Sequence, residues 1–486
     1  MTTVEHPPAQ QQERTIVALL LIGFGTLWFL FTDLSLSSVD VHLDLSEMSV
    51  WAEHFAFGYK HPPLSGWIFA AWFAIFPREN WAAHLLAAST VTTTLAITWC
   101  LLRDQLSFER ALVGLAALAL VPLYTFQAIK FNANLVQMPF WAGALLYYLR
   151  ARRDLGVKDA VLAGVFAALT FLGKYWGVYL LAGMAVAAIS GSGTRRFWTS
   201  KAPYVMAVAA LIVVAPHLHW LLTERGKDTD SFLAQSVFSE RAPLTDIAHS
   251  IRYLVASIAY VVMPLVFFAA LRPSRAAIAD TVWPKDVQRQ QSLILLIVPL
   301  IVPALVNVAF PHRLTAVWTF PNWAILPVVL YGSPLLVVPR AAATRAIMLA
   351  AIVSLCAVIA APWIAYRHLS DSSYFHRQHW QQLANAVAGL SPTPVRVFHA
   401  SNSIVDGLAF YMPLARPLSG ILSRQERAER EREGLAVICT ADDKPCQVFG
   451  DGRGRGRPWS DVSLTRTFLG FAGPAMAYRI KIISTP

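Results

Sequence analysis

Charge is scarce in this chain. Only 14% of its 486 residues are Asp, Glu, Lys or Arg, against 56% hydrophobic, and mean hydropathy is +0.48. An ordinary soluble domain carries about a quarter charged residues, so that class is excluded. Cysteine is scarce too. The four present form no C-x-x-C pair and no Cys/His spacing of a zinc site. Cys100 and Cys356 fall inside apolar runs and are expected to be inert core residues. Cys439 and Cys446 lie close together in the polar C-terminal region, where a disulfide and two free thiols both fit. No Walker loop, Rossmann fingerprint or nucleotide-sugar signature is present, which argues against a soluble nucleotide donor. Self-similarity between the halves, the mark of many transporters, is also missing. Arg14 precedes an apolar run as in a signal peptide, but without a small-residue cleavage site the run reads as a retained first helix.

What the chain does have is long apolar runs. Thr15 to Phe31, Leu85 to Leu102, Ala202 to Leu222, Leu254 to Leu271, Ser292 to Phe310 and Ala346 to Tyr366 approach or reach the length that crosses a hydrocarbon core. In lipid such runs must be helices, because an unpaired backbone group there finds no partner. The net charge of +11 is explained by where the basic residues fall. Arg150, Arg152 and Arg153, then Arg195 and Arg196, then Arg272 and Arg275, then Arg340 and Arg345 occupy alternate loops. That is the positive-inside pattern, so no nucleic-acid partner is invoked. The expected fold class is an α-helical polytopic membrane protein of about 11 transmembrane helices with a small extracytoplasmic α/β C-terminal domain. The spans are expected near residues 15–33, 83–102, 109–127, 133–149, 159–173, 175–191, 202–222, 251–271, 290–310, 316–338 and 345–366. Residues 1–14 then form a cytoplasmic tail, 15–366 the membrane domain and 367–486 the α/β domain. Within the last, Val395–Phe398, Leu435–Ile438 and Tyr478–Ile483 read as strands and Ser401–Tyr411 as a helix. Arg424–Glu433 reads as a solvated helix face, and the Gly-Arg repeat of 450–457 as a mobile loop.

Two polar external segments interrupt the spans, Thr223–Ser250 and the longer first loop of 33–80. The first loop contains Leu64–Phe76, which follows Pro62-Pro63, is too short to span and is expected to lie along the membrane surface. It also crowds Asp44, Glu47, Glu53, His54, Lys60 and His61 among Trp51, Phe55, Phe57 and Tyr59. Sugar transfer from a lipid phosphate needs such a set: a carboxylate to take the acceptor's proton, cations for the departing phosphate, and aromatic faces for sugar or prenyl chain. A solvated loop with interfacial aromatics accounts for the same composition. Lys130 and Lys174 sit at the external ends of apolar spans, where an uncompensated ammonium is costly; each either snorkels to the interface or serves a ligand. Arg313 opens a short external turn and is a third candidate for a phosphate, ahead of Arg241 and Arg252. His54, His61 and Glu53 match no strong metal signature, so no cofactor is expected and a divalent metal is only an alternative.

The stretch Asp44–Trp67, centred on Gly58-Tyr59-Lys60-His61-Pro62-Pro63-Leu64, resembles the first periplasmic loop of the family that holds protein O-mannosyltransferases and lipid A aminoarabinose transferases, which are GT-C glycosyltransferases. A looser likeness runs to Tyr366 through Lys130–Asn134, Gly173–Trp176 and Trp318–Pro327. The resemblance implies an inverting glycosyltransferase at the periplasmic face of the bacterial inner membrane, embedded in membrane lipids. Its donor would be a polyprenyl-phosphate sugar and its acceptor a lipid, glycan or protein. Asp44 would be the catalytic carboxylate, with Glu47 near it; Lys130, Lys174 and Arg313 would hold the donor phosphate. Tyr59, Lys60, His61, Trp51 and Asn134 would contact sugar or acceptor. Two departures stand out: Leu45 replaces the family's Glu, and Asn134 stands where an Asp is frequent. A helix-capping role for Asp44 is the structural alternative. A lipid or sugar transporter, or a binder of lipid-linked sugar that does not turn it over, are the rival functions.

Overall fold

The computed structural model describes residues 7–52, 57–58, 61–223, 243–310, 312–371, 378–401, 404–418 and 434–483. Its helices follow the apolar runs. In chain order they are α1 (Pro7–Ser35), α2 (Leu43–Trp51), α3 (Leu64–Phe73), α4 (Asn80–Gln105), α5 (Phe108–Leu118), α6 (Ala133–Asp154), α7 (Val157–Gly173), α8 (Val178–Ile189), α9 (Thr194–Trp198), α10 (Ala202–Thr223), α11 (Pro243–Tyr260), α12 (Val262–Ala270), α13 (Arg275–Val282), α14 (Val287–Ala309), α15 (Leu326–Tyr331) and α16 (Arg340–Ser370). Helix occurs in each of the eleven expected segments, but 109–127 is α-helical only as far as Leu118, and 316–338 opens as the 3-10 helix Ala316–Ile325 and ends its helix at Tyr331. Among the described residues, five helices are long and apolar enough to cross a membrane, or six if the pair Thr245–Tyr260 and Val262–Ala270, bent by 54°, counts as one. The chain is a multi-pass membrane protein.

The chain divides into two compact units. One comprises Met1–Phe29, Phe55–Ser65 and Leu86–Cys356, the other Leu30–His54, Gly66–Leu85 and Ala357–Pro486. In the first, α6 and α7 form a tight hairpin, turned by Leu155 in the left-handed region at φ 58°. Helix α10 packs on α7 at Gly164, where an added Cβ would stand 2.2 Å from the Met206 carbonyl oxygen. Small residues are what let helices approach closely in lipid, where tails compete equally for apolar side chains. Cys100 and Cys356 lie exposed on helix surfaces and are not core residues. An apolar helix in lipid has no inside requirement, so burial cannot be read from hydrophobicity there.

The second unit contains α17 (Trp380–Leu390), β1 (Val397–Ala400), α18 (Val405–Tyr411), β2 (Arg416–Pro417), β3 (Leu435–Thr440), α19 (Lys444–Arg453), β4 (Ser460–Leu464), β5 (Thr467–Phe468), β6 (Phe471–Ala472) and β7 (Met476–Ile483). Five strands make a mixed sheet in the order β2-β1-β3-β7-β4, parallel at β2-β1 and β1-β3 and antiparallel at β3-β7 and β7-β4. Strand β3 is buried on both faces. Ala436 and Ile438 join Trp380, Phe398 and Tyr478 on one side, while Leu435, Val437 and Cys439 join Leu418 and Cys446 on the other, as the two-residue period requires. The thiol question is settled here, since Cys439 and Cys446 form a disulfide from β3 to α19. The first part of the Gly-Arg repeat is the end of α19, not a loop. The charged run 424–433 lies outside the described residues.

Candidate active site

In the second unit, the chain leaves α1 and enters α2 through residues 36–42. His42 is the N-cap of α2: its Nδ1 accepts from the Asp44 backbone N–H at 3.1 Å. Asp44 is therefore the second helical residue and not the cap, which removes the capping explanation of its identity. An acidic residue in the first turn also suits the helix dipole. The Asp44 side chain is 42% exposed, with Oδ2 3.6 Å from His42 Nδ1. Because that nitrogen accepts the cap bond, the capped imidazole carries its proton on Nε2. Glu47 lies three residues further on the same helix and is half-buried, and Trp51, also half-buried, ends the helix.

In the first unit, the motif glycine Gly58 has a steric reason. An added Cβ would meet the Trp220 ring at 2.3 Å. The preceding carbonyl, that of Phe57, lies 2.6 Å from His217 Nδ1, so α10 grips the loop at two adjacent residues. Tyr59 and Lys60 lie outside the described residues, as do Glu53, His54, Phe55 and Arg241. His61 is half-buried ahead of Pro62-Pro63, whose rings fix the entry into α3.

Lys174 sits where a helix breaks. Helix α7 stops at Gly173, Lys174 is extended at φ −163°, and a 3-10 turn, Tyr175–Gly177, leads into α8. The break frees carbonyls that need donors. Gln137 of α6 supplies them, its Nε2 donating to the Thr170 oxygen at 2.9 Å and the Lys174 oxygen at 2.8 Å. Ser65 adds a bond to the Gly173 oxygen at 3.3 Å. The Lys174 ammonium donates to Asn134 Oδ1 at 2.7 Å and stands 4.1 Å from the centre of the Trp318 ring. Asn134 is itself placed by Asn132, which caps α6 by accepting from the N–H groups of Asn134 and Leu135 at 3.0 and 3.1 Å. Two motif segments read separately in the sequence, Lys130–Asn134 and Gly173–Trp176, thus meet. Lys130 lies half-buried ahead of Asn132, and Arg313 is exposed.

The rings continue outward from this cluster. Trp318 packs on Trp176 at 5.2 Å between centroids, and Trp176 on Tyr253 at 6.4 Å. Tyr253 lines a cavity of about 660 Å³ together with His249, Arg252, Tyr260 and Thr315. That volume is in the range of small-ligand sites. Arg252, ranked below Arg313 on sequence, gains weight from this position; the i, i+3, i+4 spacing of His249, Arg252 and Tyr253 was the available signal.

The fold is a GT-C membrane fold, shared with a protein of known structure. The crystal structure of ArnT from Cupriavidus metallidurans bound to undecaprenyl phosphate superposes with a TM-score of 0.62 at 11% identity, over 96% of this chain and 98% of that one. The apo structure of the same protein gives 0.64 at the same identity and coverage. Residues 60–220 match the family described as dolichyl-phosphate-mannose-protein mannosyltransferase. Among curated proteins, the chain is 25% identical over 274 residues to the lipopolysaccharide core galacturonosyltransferase RgtB of Rhizobium johnstonii, covering 53% of this chain and 54% of that protein. It is 24% identical over 315 residues to the lipid A galacturonosyltransferase RgtD of the same organism, covering 63% and 62%. The chain thus spans little more than half the length of the curated relatives it matches.

Proposed function

We propose that the chain is an inverting glycosyltransferase that moves a sugar from a polyprenyl-phosphate donor to a lipid acceptor at the periplasmic face of the bacterial inner membrane. Residues 1–14 are then cytoplasmic, 15–366 the membrane domain, and 367–486 a periplasmic domain, in keeping with a disulfide that requires an oxidising compartment. The observation that carries the reading is the Lys174 cluster. An ammonium held between Asn134 and Trp318 at a helix break, joined through Trp176 and Tyr253 to a cavity containing Arg252, suits a ligand with a phosphate beside an apolar chain. The ArnT structure with undecaprenyl phosphate supports the donor class. The names of the two galacturonosyltransferases support a lipid acceptor over a glycan or a protein.

In this reading Asp44 takes the proton of the acceptor hydroxyl as its oxygen bonds to the anomeric carbon. The carbon–oxygen bond to the phosphate breaks on the opposite face, and polyprenyl phosphate leaves with the bonding electrons, its negative charge met by Lys174, with Lys130, Arg252 and Arg313 as further phosphate candidates. Glu47, Trp51, Tyr59, Lys60 and His61 are assigned to the sugar and acceptor. The test is transfer from radiolabelled polyprenyl-phosphate sugars, uronic acids included, in membranes carrying the wild-type chain or Asp44→Asn. Label in the lipid fraction that disappears in the variant, while the protein still inserts, supports the proposal. Equal labelling by both chains removes Asp44 from the mechanism, and no labelling by either across the donor panel returns the weight to transport or binding.

A further inference from the structure

Val39, Asp40 and Val41, which lead into the N-cap of α2, are held more tightly than a connecting loop needs. The Val39 carbonyl accepts from Asn80 Nδ2 at 2.9 Å. The Val41 N–H donates to the Tyr411 hydroxyl at 2.9 Å, and that hydroxyl donates to Asn80 Oδ1 at 2.6 Å. Between them, Asp40 is 5% exposed and forms an ion pair with Arg466, which is 8% exposed. The same carboxylate accepts from the N–H groups of Trp380 at 2.8 Å and Gln381 at 3.2 Å, the first two residues of α17. Burial pushes the Asp40 carboxyl above its usual range, opposed by the Arg466 charge and the two N–H groups. Burial also pushes the Tyr411 phenol well up, so it stays protonated and keeps donating to Asn80.

These anchors lie three to five residues before Asp44, and α2 itself is bound to the same body. Leu45 and Met48 are buried, Leu43 and Val50 pack against the core that holds Trp380, Phe398 and Tyr478, and α2 lies on α18. A buried ion pair adds little net stability over an apolar pair of equal size, whereas its geometry is exacting. Proton transfer is sensitive to displacements of about 1 Å.

We propose that Asp40 and Arg466 are positioning residues for Asp44, and that the C-terminal α/β domain, gripping Asp40 and Val41 through Arg466, Tyr411 and α17, sets the angle at which α2 presents its carboxylate to the acceptor. This rests on the reading of Asp44 as the general base. It assigns the domain a part in turnover that a passive cover would not have, and it connects residues 426 positions apart.

The test uses the full chain purified in detergent, with donor titration, single-turnover kinetics and thermal melting for Asp40→Asn, Arg466→Met, the double variant and Tyr411→Phe. Each single change at the ion pair is expected to lower kcat by about 30-fold or more with donor KM within about threefold, because the donor contacts are elsewhere. The double variant leaves no unpaired buried charge and is expected to regain most of the melting temperature, yet kcat stays low. Tyr411→Phe deletes one oxygen and leaves the Val41 N–H without that acceptor, so it is expected to lower kcat with a smaller loss of melting temperature than the single ion-pair variants, and the inference stays testable if those fold poorly. Turnover that recovers together with stability in the double variant overturns the proposal, as does wild-type kcat in Tyr411→Phe and the single variants. Asp44→Asn runs in parallel. If it turns over normally, the base assignment falls and this inference with it; if it is inactive while the Asp40 and Arg466 variants are fully active, only the positioning role falls.

Discussion

The region around Asp44 and the region around Lys174 solve the same problem in opposite ways. Each holds a charged side chain partly uncovered. Lys174 is held by an irregularity within the bundle: a helix is broken, and neighbouring side chains, Gln137, Ser65 and Asn134, take up the backbone and side-chain groups that the break exposes. Asp44 is held inside a regular helix, and the irregular chain before it is fastened by groups from α17, α18 and the loop before β5. In lipid a site can be made by breaking a helix only where protein supplies the missing donors. Outside it, a second layer of structure can do the holding.

The comparison is tested first where the expected effect is largest. Asp44→Asn keeps the size of the side chain and most of its contacts while removing the base, so kcat is expected to fall by about a thousandfold with melting unchanged. Donor binding should be retained, in contrast to what is expected of a change at Lys174. A fall in donor affinity equal to the fall in turnover would show that the carboxylate region also binds the donor, and the division of labour would be wrong.

Lys174→Met is the matching change in the bundle. It keeps the chain length and apolar packing against Trp318 and removes the charge, so the expected result is a rise in donor KM of about 30-fold with kcat reduced less. Asn134→Asp should instead pair with the ammonium and compete with a phosphate for it, raising KM without a loss of fold. Measuring both by donor titration tells whether Lys174 meets the donor or only caps Asn134. Unchanged KM in both variants would leave the lysine a structural residue.

A third change acts on the body that holds α2. Cys439→Ser with Cys446→Ser opens a loop of sequence separation 7, and chain-entropy arguments put the loss at about 2 kcal/mol. The disulfide joins β3 to α19 in the core containing Val397 and Leu418, on the other face of the sheet from Trp380 and Tyr478. Lower melting with kcat nearly unchanged at low temperature is therefore expected, read by thermal unfolding with and without reductant.

How much of this was legible in the sequence depends on how far apart the determinants lie. Some helix ends were readable from where the apolar runs stop, 202–222 becoming Ala202–Thr223 and 159–173 becoming Val157–Gly173, whereas 109–127 is α-helical only over Phe108–Leu118 and 251–271 is bent between Tyr260 and Val262. Three strands of the second unit, β1, β3 and β7, were readable from short β-branched runs, although β1 begins at Val397 and not at Val395, whereas β2, β4, β5 and β6 carry no such run and were not. Lys174 and Asn134 are each conspicuous in the sequence, but their pairing is not, since nothing local connects residues 40 apart. His42 was missed as a cap because histidine is not among the favoured capping residues. Asp40 was passed over entirely: its partner Arg466 carries no local signal, and Asp44 four residues later drew the attention. The exposure of Cys100 and Cys356 was misread because hydrophobicity does not mark the inside of a bundle that faces lipid.

The smallest expected effect is at Gln137, and it measures how much the helix break depends on one side chain. Gln137 is fully buried, and its Nε2 serves the carbonyls of Thr170 and Lys174. Each of those carbonyls has another donor, the Lys174 N–H to Thr170 at 3.3 Å and the Gly177 N–H to Lys174 at 2.9 Å. Gln137→Leu therefore leaves no acceptor wholly unserved, and it also removes Oε1, a buried oxygen with no partner among the described residues. The two lost bonds and the relieved oxygen partly offset, so the net cost should be about 1 kcal/mol. What changes is the grip on the Lys174 backbone, and donor KM should rise about threefold, an order of magnitude less than for Lys174→Met, with kcat unaffected. A KM effect as large as that of Lys174→Met, at unchanged melting temperature, would mean that the break is held by Gln137 alone, and that the bundle, like the region around Asp44, relies on a dedicated positioning residue.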